Sequence, residues 1–197
     1  MRVIFDIGAN NGDSTLHMAN DSMIYAFEPT PEMCDIIIDK TAQMHNYHLE
    51  RVAVSNYNGT AKFYVAGQSD WGCSSLNQFS DELERTWAGR QDFKVTHEID
   101  VKVIRLDNFI EQNGITQIDY LHCDAQGSDL LVLEGLGKYI DIVKEGVIEV
   151  SANEEYALYK GTDNTLLTAV DFLTKNGIRW IEISPWAQEY NIHFKRV

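Results

Sequence analysis

The sequence predicts an α/β fold: a mostly parallel sheet with helices on both faces and a β insertion around residues 56–105. Three observations predict it. Short apolar runs alternate with helix-like segments along most of the 197 residues. Four of those runs end at or near a carboxylate, namely Asp6, Glu28, Asp124 and Glu149. Between the second and third lies a stretch that alternates with the period of two of an antiparallel ribbon.

Taken in order, Val3-Ile4-Phe5 is a compact buried strand, followed by a Gly-rich turn and a helix through about Met18. Met23 to Phe27 is the second strand, and Pro31 suits the first turn of a helix reaching about Met44. Tyr47 to Val54 gives a third strand. Thr60 to Val65 alternates after the turn Asn56-Tyr57-Asn58-Gly59, the segment Gly67 to Gln91 is mixed, and Phe93 to Ile104 alternates again. A helix from Leu106 to Gln112 closes at Gly114, and a strand from Ile118 to Cys123 leads into Asp124. Ser128 to Leu136 is helical, Gly146 to Val150 extended, and Thr165 to Asn176 an amphipathic helix closed by Gly177. Strands follow at Ile178 to Ile183 and Ile192 to Val197. Open parallel sheets bind ligands beyond the carboxyl ends of their strands. The four acids are therefore expected along one rim.

The length suits one domain over residues 1–197. The first strand begins at residue 2 and the last runs to Val197, as expected either of a domain taken from a longer multidomain polypeptide or of a very minimal enzyme. No apolar run approaches the roughly 18 residues of a membrane span, and Asp6 interrupts the apolar start that a signal peptide needs. Thirty acidic against 16 basic residues give a net charge of −14, which argues against nucleic acid as partner. Cys34, Cys73 and Cys123 have no metal-type spacing and read as free thiols of a reducing, cytoplasmic compartment.

The turn Asp6-Ile7-Gly8-Ala9-Asn10-Asn11-Gly12 follows a strand and opens a helix. Its glycines permit a tight turn and close approach of a ligand to the backbone. Glu28 lies about 20 residues further on, the spacing of an acid that accepts from both hydroxyls of a ribose. The competing fingerprint is that of a dinucleotide, G-x-G-x-x-G, but Asn10 and Asp13 occupy its second and third glycine positions. Asp6 and Asp13 flank the place where a pyrophosphate would sit and would repel it. S-adenosylmethionine carries a sulfonium and an ammonium instead, so the charge pattern selects the methyl donor over NAD.

These residues resemble the FkbM-type methyltransferases. Val3 to Gly12 matches the opening motif of that family, Phe27-Glu28-Pro29 the second, and Val52-Ala53-Val54-Ser55 with Gly59-Thr60 and Phe63-Tyr64-Val65 the third. Leu106-Asp107-Asn108-Phe109-Ile110 with Ile118 to Gly127 is the fourth, and Val132 to Leu136 with the strand bearing Glu149 completes the set. The resemblance implies a Rossmann-like class I methyltransferase sandwich: a seven-stranded sheet with an antiparallel last strand. It also implies a cofactor site including Ala53, and O-methylation, often of a sugar hydroxyl. The chain departs from the family at His122, where Lys is usual, and at Ser151, where His is common.

A sugar hydroxyl needs a base, or a metal that lowers its pKa. His122 and Asp124 lie two apart on a strand, on the same side of it, and either is a candidate general base. Alternatively Asp124, Glu149 and Asn153 hold Mg²⁺ or Mn²⁺ through hard oxygen ligands. Trp71, Ser74 and Ser75 in the insertion are candidates for an acceptor wall, since an aromatic face suits a sugar ring. The expected function is O-methylation of a carbohydrate hydroxyl, with fusion to glycosyltransferase domains fitting that role. The alternatives are a polyketide or other small-molecule hydroxyl as acceptor, or a non-catalytic module that binds S-adenosylmethionine.

Overall fold

The first strand, β1 (Arg2–Ile7), is buried from Ile4 onward because apolar neighbours cover it on both edges and faces. The structure is a computed structural model that describes residues 1–67, 70–90 and 93–196. Gly12 adopts the left-handed conformation, φ 82°, and opens a four-residue helix α1 (Asp13–Leu16) that passes into a 3₁₀ turn over His17–Asn20. Next come β2 (Ser22–Phe27), α2 (Pro31–Thr41) and β3 (Tyr47–Glu50). Pro31 sits in the first turn of α2, where its missing N–H costs nothing.

The stretch expected as one strand over 47–54 divides. After Glu50 the chain turns, with the Val52 amide bonded to the Glu50 carbonyl at 2.9 Å, and β4 (Ala53–Val54) joins a different sheet. Each half buries an apolar residue, Tyr47 in the first and Ala53 and Val54 in the second, so burial alone does not mark the break. The insertion supplies β5 (Gly59–Val65), a short helix α3 (Leu83–Thr86) and β6 (His97–Ile104). Phe93 packs in a satellite cluster with Trp87, Leu158 and Tyr159, and β6 starts four residues later than the alternation indicated. The ends expected at Gln91 and Val197 lie outside the described residues.

The remaining elements are α4 (Leu106–Asn113), β7 (Tyr120–Cys123), α5 (Asp129–Gly135), β8 (Glu145–Ser151), α6 (Leu166–Lys175), β9 (Ile178–Trp186) and β10 (Glu189–Arg196). Gly114 closes α4 in the left-handed conformation, and Thr165 caps α6 by accepting from the Thr168 amide.

Among the described residues the main sheet has seven strands in the order β3-β2-β1-β7-β8-β10-β9. All neighbours are parallel except at β10, which runs against both β8 and β9. The antiparallel strand is thus last in sequence but inside the sheet, joined to β9 through a turn at Ala187-Gln188 in which Ala187 has φ 53°. A three-stranded sheet, β4-β6-β5, stands beside it. The largest core cluster lies where α4, α5 and α6 cover one face, and contains Phe5, Leu121, Ile148 and Phe194. A smaller one, with Ile4, Ile24 and Ile37, lies beneath α1 and α2. Burying each such side chain stabilises the fold by roughly 1.5–3 kcal/mol before entropy is charged.

Candidate active site

The rim at the carboxyl ends of β1, β2 and β7 carries the site. Gly8 and Ala9 both donate from their amides to the Phe27 carbonyl, at 3.0 and 3.1 Å, which draws the turn after β1 against the end of β2. Gly8 has φ 74°, and any Cβ there would overlap the Asp124 carbonyl just past β7. Glycine is required at this position for two reasons, conformation and space.

Glu28 is buried, at 5% exposure, and its carboxylate accepts from the Asn10 amide at 2.8 Å and the Thr30 amide at 2.7 Å. Burial pushes its pKa up to about 7, with those hydrogen bonds pulling back and Asp6 adding a smaller push upward. Each carboxylate oxygen keeps a lone pair for a further donor. A cleft opens above it, lined among others by Gly8, Asn10, Glu28, Ala53, Trp71 and Asp124. Ser74 lines it as well.

The other expected residues lie around this cleft. Asp6 is fully buried beneath the turn, accepting from the Thr15 hydroxyl at 2.5 Å and paired with His122 Nδ1 at 2.9 Å. Ala9 is buried, Asn11 binds Asp13, and Gly12 packs against Tyr47. Burial alone would lower the pKa of His122, but the Asp6 carboxylate outweighs it and the net shift is upward. Ser75 is buried and donates to the Gln126 carbonyl at 2.7 Å.

Asp124 and Glu149 are brought together by Gln126, whose side-chain amide donates to Asp124 Oδ1 at 2.5 Å and Glu149 Oε2 at 3.2 Å. Burial pushes the pKa of Glu149 up to about 10, and the Asp124 charge adds to the rise. Asp124 is also raised, chiefly by burial, against the pull of the Gln126 amide. Asn153 stands apart: it is exposed, and its side chain caps the 3₁₀ turn over Glu154–Tyr156 by accepting from the Tyr156 amide. Among the described residues no group of three or more His, Cys, Asp or Glu side chains is arranged to hold a metal ion. The trio of Asp124, Glu149 and Asn153 does not fit one, because the Asn153 side chain is turned to its own 3₁₀ turn.

Four residues of the rim are not among the site residues that the sequence predicts. Gln126 is one. Asp129 is fully buried and accepts from the Glu149 amide at 3.2 Å and the Ala125 amide at 3.4 Å, clamping β7 to β8. Tyr159 donates to Gln126 Oε1 at 2.6 Å. Glu189 stands beside Ser151 on the neighbouring strand, and burial, then the Asp124 charge, lifts it to about 7. Asp129 reads in sequence as an ordinary helix-start acid, and Glu189 faces the rim only because β10 is antiparallel.

Comparison with known proteins agrees with this anatomy. Solved structures with the same sheet include an rRNA methylase from Streptococcus thermophilus, 12% identical with a TM-score of 0.54, covering 100% of this chain and 87% of that one. Fibrillarin from Aeropyrum pernix is 11% identical, with a TM-score of 0.53 and coverage of 98% and 65%. Precorrin-6y C5,15-methyltransferase from Geobacter metallireducens is 14% identical, with a TM-score of 0.52 and coverage of 100% and 80%. At such identity the likeness defines the fold alone: the Rossmann-like class I methyltransferase sandwich.

The sequence match is narrower. The family model of the methyltransferase FkbM domain matches residues 6–178, and the chain belongs to that family. The chain is also 29% identical over 142 residues to the 2-O-methyltransferase NoeI of Sinorhizobium fredii (strain NBRC 101917 / NGR234), covering 68% of this chain. It spans 56% of that relative's length. No helix among the described residues is long and apolar enough to cross a membrane.

Proposed function

We propose that this chain methylates a hydroxyl of a carbohydrate, using S-adenosylmethionine. The observation that carries the reading is the cleft whose wall includes both Glu28 and Asp124. Likeness to a 2-O-methyltransferase supports a hydroxyl acceptor. The open cleft wall at Trp71 supports a ring-shaped acceptor, for which an aromatic face is a suitable surface.

In this reading the residues divide the work. Gly8 and Asn10 leave the backbone open to the cofactor, and Glu28 accepts from its ribose hydroxyls. Ala53 and Val54 supply an apolar wall. When bound, the cofactor supplies an electrophilic methyl on a cationic sulfur, which leaves as a neutral thioether. Asp124, which lines the cleft, takes up the proton the acceptor hydroxyl loses. His122 is held by Asp6 behind the turn and supports it. Trp71, Ser74 and Gly72 border the acceptor side. No nucleic-acid role is assigned, since the chain carries a net charge of −14.

Calorimetric titration with S-adenosylhomocysteine and with NAD⁺ tests the donor. Micromolar binding of the former, lost in Glu28→Ala, is expected. Binding of NAD⁺ in its place overturns the reading. Transfer of labelled methyl to a panel of methyl glycosides, set against phenolic and aliphatic alcohols, then tests the acceptor. Transfer confined to the non-sugar alcohols would overturn the carbohydrate assignment.

A further inference from the structure

Gln126 occupies an unusual position. It is one of three described residues other than glycine with positive φ, at 48°, and it lies between the cofactor cleft and the paired acids. An L residue held in the left-handed region is strained unless its surroundings compensate. Here they do so from three sides. Ser75 Oγ, reaching in from the insertion, donates to the Gln126 carbonyl at 2.7 Å. Gly127 follows with φ 85°, and a Cβ there would come within 2.8 Å of the Tyr159 ring. The Tyr159 hydroxyl donates to Gln126 Oε1 at 2.6 Å and lies 2.9 Å from the Cys73 carbonyl.

Carboxylate oxygens only accept, so the NH₂ of Gln126 faces Asp124 and Glu149 and its amide oxygen faces Tyr159. The one hydroxyl hydrogen of Tyr159 is shared between Gln126 Oε1 and the Cys73 carbonyl. An NH₂ group has two hydrogens, one for each carboxyl group. Two carboxyl groups that share one site do not both ionise readily, so the pair retains a proton. Asp124 lines the cleft whereas Glu149 is not among its lining residues.

We propose that Gln126, oriented by Tyr159, is a positioning residue that holds Asp124 and Glu149 as a pair sharing one proton, with the Asp124 charge presented to the cofactor cleft. The inference rests on the donor assigned above. It deepens that assignment by naming the part of the donor that Gln126 serves: the positive charge on sulfur. S-adenosylmethionine carries that charge and S-adenosylhomocysteine lacks it, while the rest of the two molecules is shared. Glu28, Asp6, His122, Asp129 and Glu189 also carry or can carry charge near the site, so it is the change in sulfonium preference between a variant and the unaltered protein that reports the charge of the pair, without any acceptor.

Tyr159→Phe is the sharpest variant. The ring is 3% exposed and stacks on Phe79 with centroids 5.4 Å apart, so removing the hydroxyl leaves the packing in place. Gln126→Met, similar in volume but without hydrogen bonds, is the second. Both are titrated calorimetrically with each ligand across about pH 5.5 to 8.5 beside the unaltered protein. The homocysteine affinity should stay within about twofold while the sulfonium preference drops about tenfold, the scale of a lost hydrogen bond to a charge. The pH below which the preference disappears should move upward, because loss of the amide donor raises the pKa of Asp124.

Equal weakening of both ligands, or an unchanged preference and pH profile in both variants, overturns the proposal. If the unaltered protein binds neither ligand, the donor assignment fails first and takes this inference with it. If it binds both equally at every pH, the donor stands and this inference alone falls.

Discussion

At the scale of single residues, Glu28 shows how one side chain can be both structural and functional. Its two backbone hydrogen bonds fix the turn after β1 to the start of α2, and its remaining lone pairs face the cleft. Since burial lifts its pKa to about 7, ligand hydroxyls meet a carboxylate only above that value. Affinity for S-adenosylhomocysteine should therefore rise as pH increases through about 7 and level off beyond it. Glu28→Gln should weaken binding by about tenfold or more, the effect of losing hydrogen bonds to a charge, and flatten the pH dependence. A Gln variant that keeps the wild-type slope would show that another group titrates. Glu28 was legible because both its residue type and its spacing from the turn are local in sequence. Gln126 and Tyr159 were not, because their roles depend on contacts between segments 33 residues apart.

Among the elements, α5 records a conflict between propensity and packing. Gly135 lies in its last turn, where alanine would favour the helix by up to about 1 kcal/mol. A Cβ at that position would lie 2.5 Å from the Ser55 carbonyl, just beyond β4. Backbone cannot yield as a flexible side chain does, so packing should prevail. Gly135→Ala is expected to destabilise the protein by roughly 1–3 kcal/mol, read from the midpoint of urea unfolding. A rise in the midpoint would mean that α5 slides freely over the small sheet. Strand and helix types were largely readable from periodicity and capping, as with Gly114, Pro31 and Thr165. The division of 47–54 between two sheets was not, since both halves bury apolar residues and only tertiary pairing separates them.

For the whole molecule, the acids of the rim set how stability responds to pH. Burial raises Glu28 to about 7, Asp129 to about 8, Glu149 to about 10 and Glu189 to about 7. The Asp124 charge adds to the last three. Each holds its proton more firmly folded than unfolded. Its contribution is complete below the ordinary carboxylate range and is lost as pH rises through the folded value. Asp107 and Asp119 act in the opposite sense. Arg105 lowers the first, and Lys144, with its partners, outweighs burial at the second, so their contribution fades on acidification. The ligand-free protein should thus be most stable at about pH 4, in the ordinary carboxylate range, and lose several degrees of melting temperature from there toward about pH 9. A melting temperature that is flat or rising over that interval would contradict the buried-acid account.

The reversed strand has a consequence for how the sheet comes apart. β9 has no hydrogen bonds to β8 and is attached to the sheet only through β10. A single backbone seam, running from Glu189–Ser151 to Lys195–Glu145, therefore joins the hairpin over residues 178–196 to the sheet, while Ile178, Ile192 and Phe194 pack it into the main core. If that seam parts, the hairpin leaves as a unit, and Glu189 is withdrawn from the acids at the same moment. Amide hydrogens across β9 and β10 should then exchange with solvent at one common opening rate, separate from that of β1 and β7. The hairpin would act as a hinged margin, and its detachment would thin the negative field beside Asp124 while the cofactor cleft stayed intact.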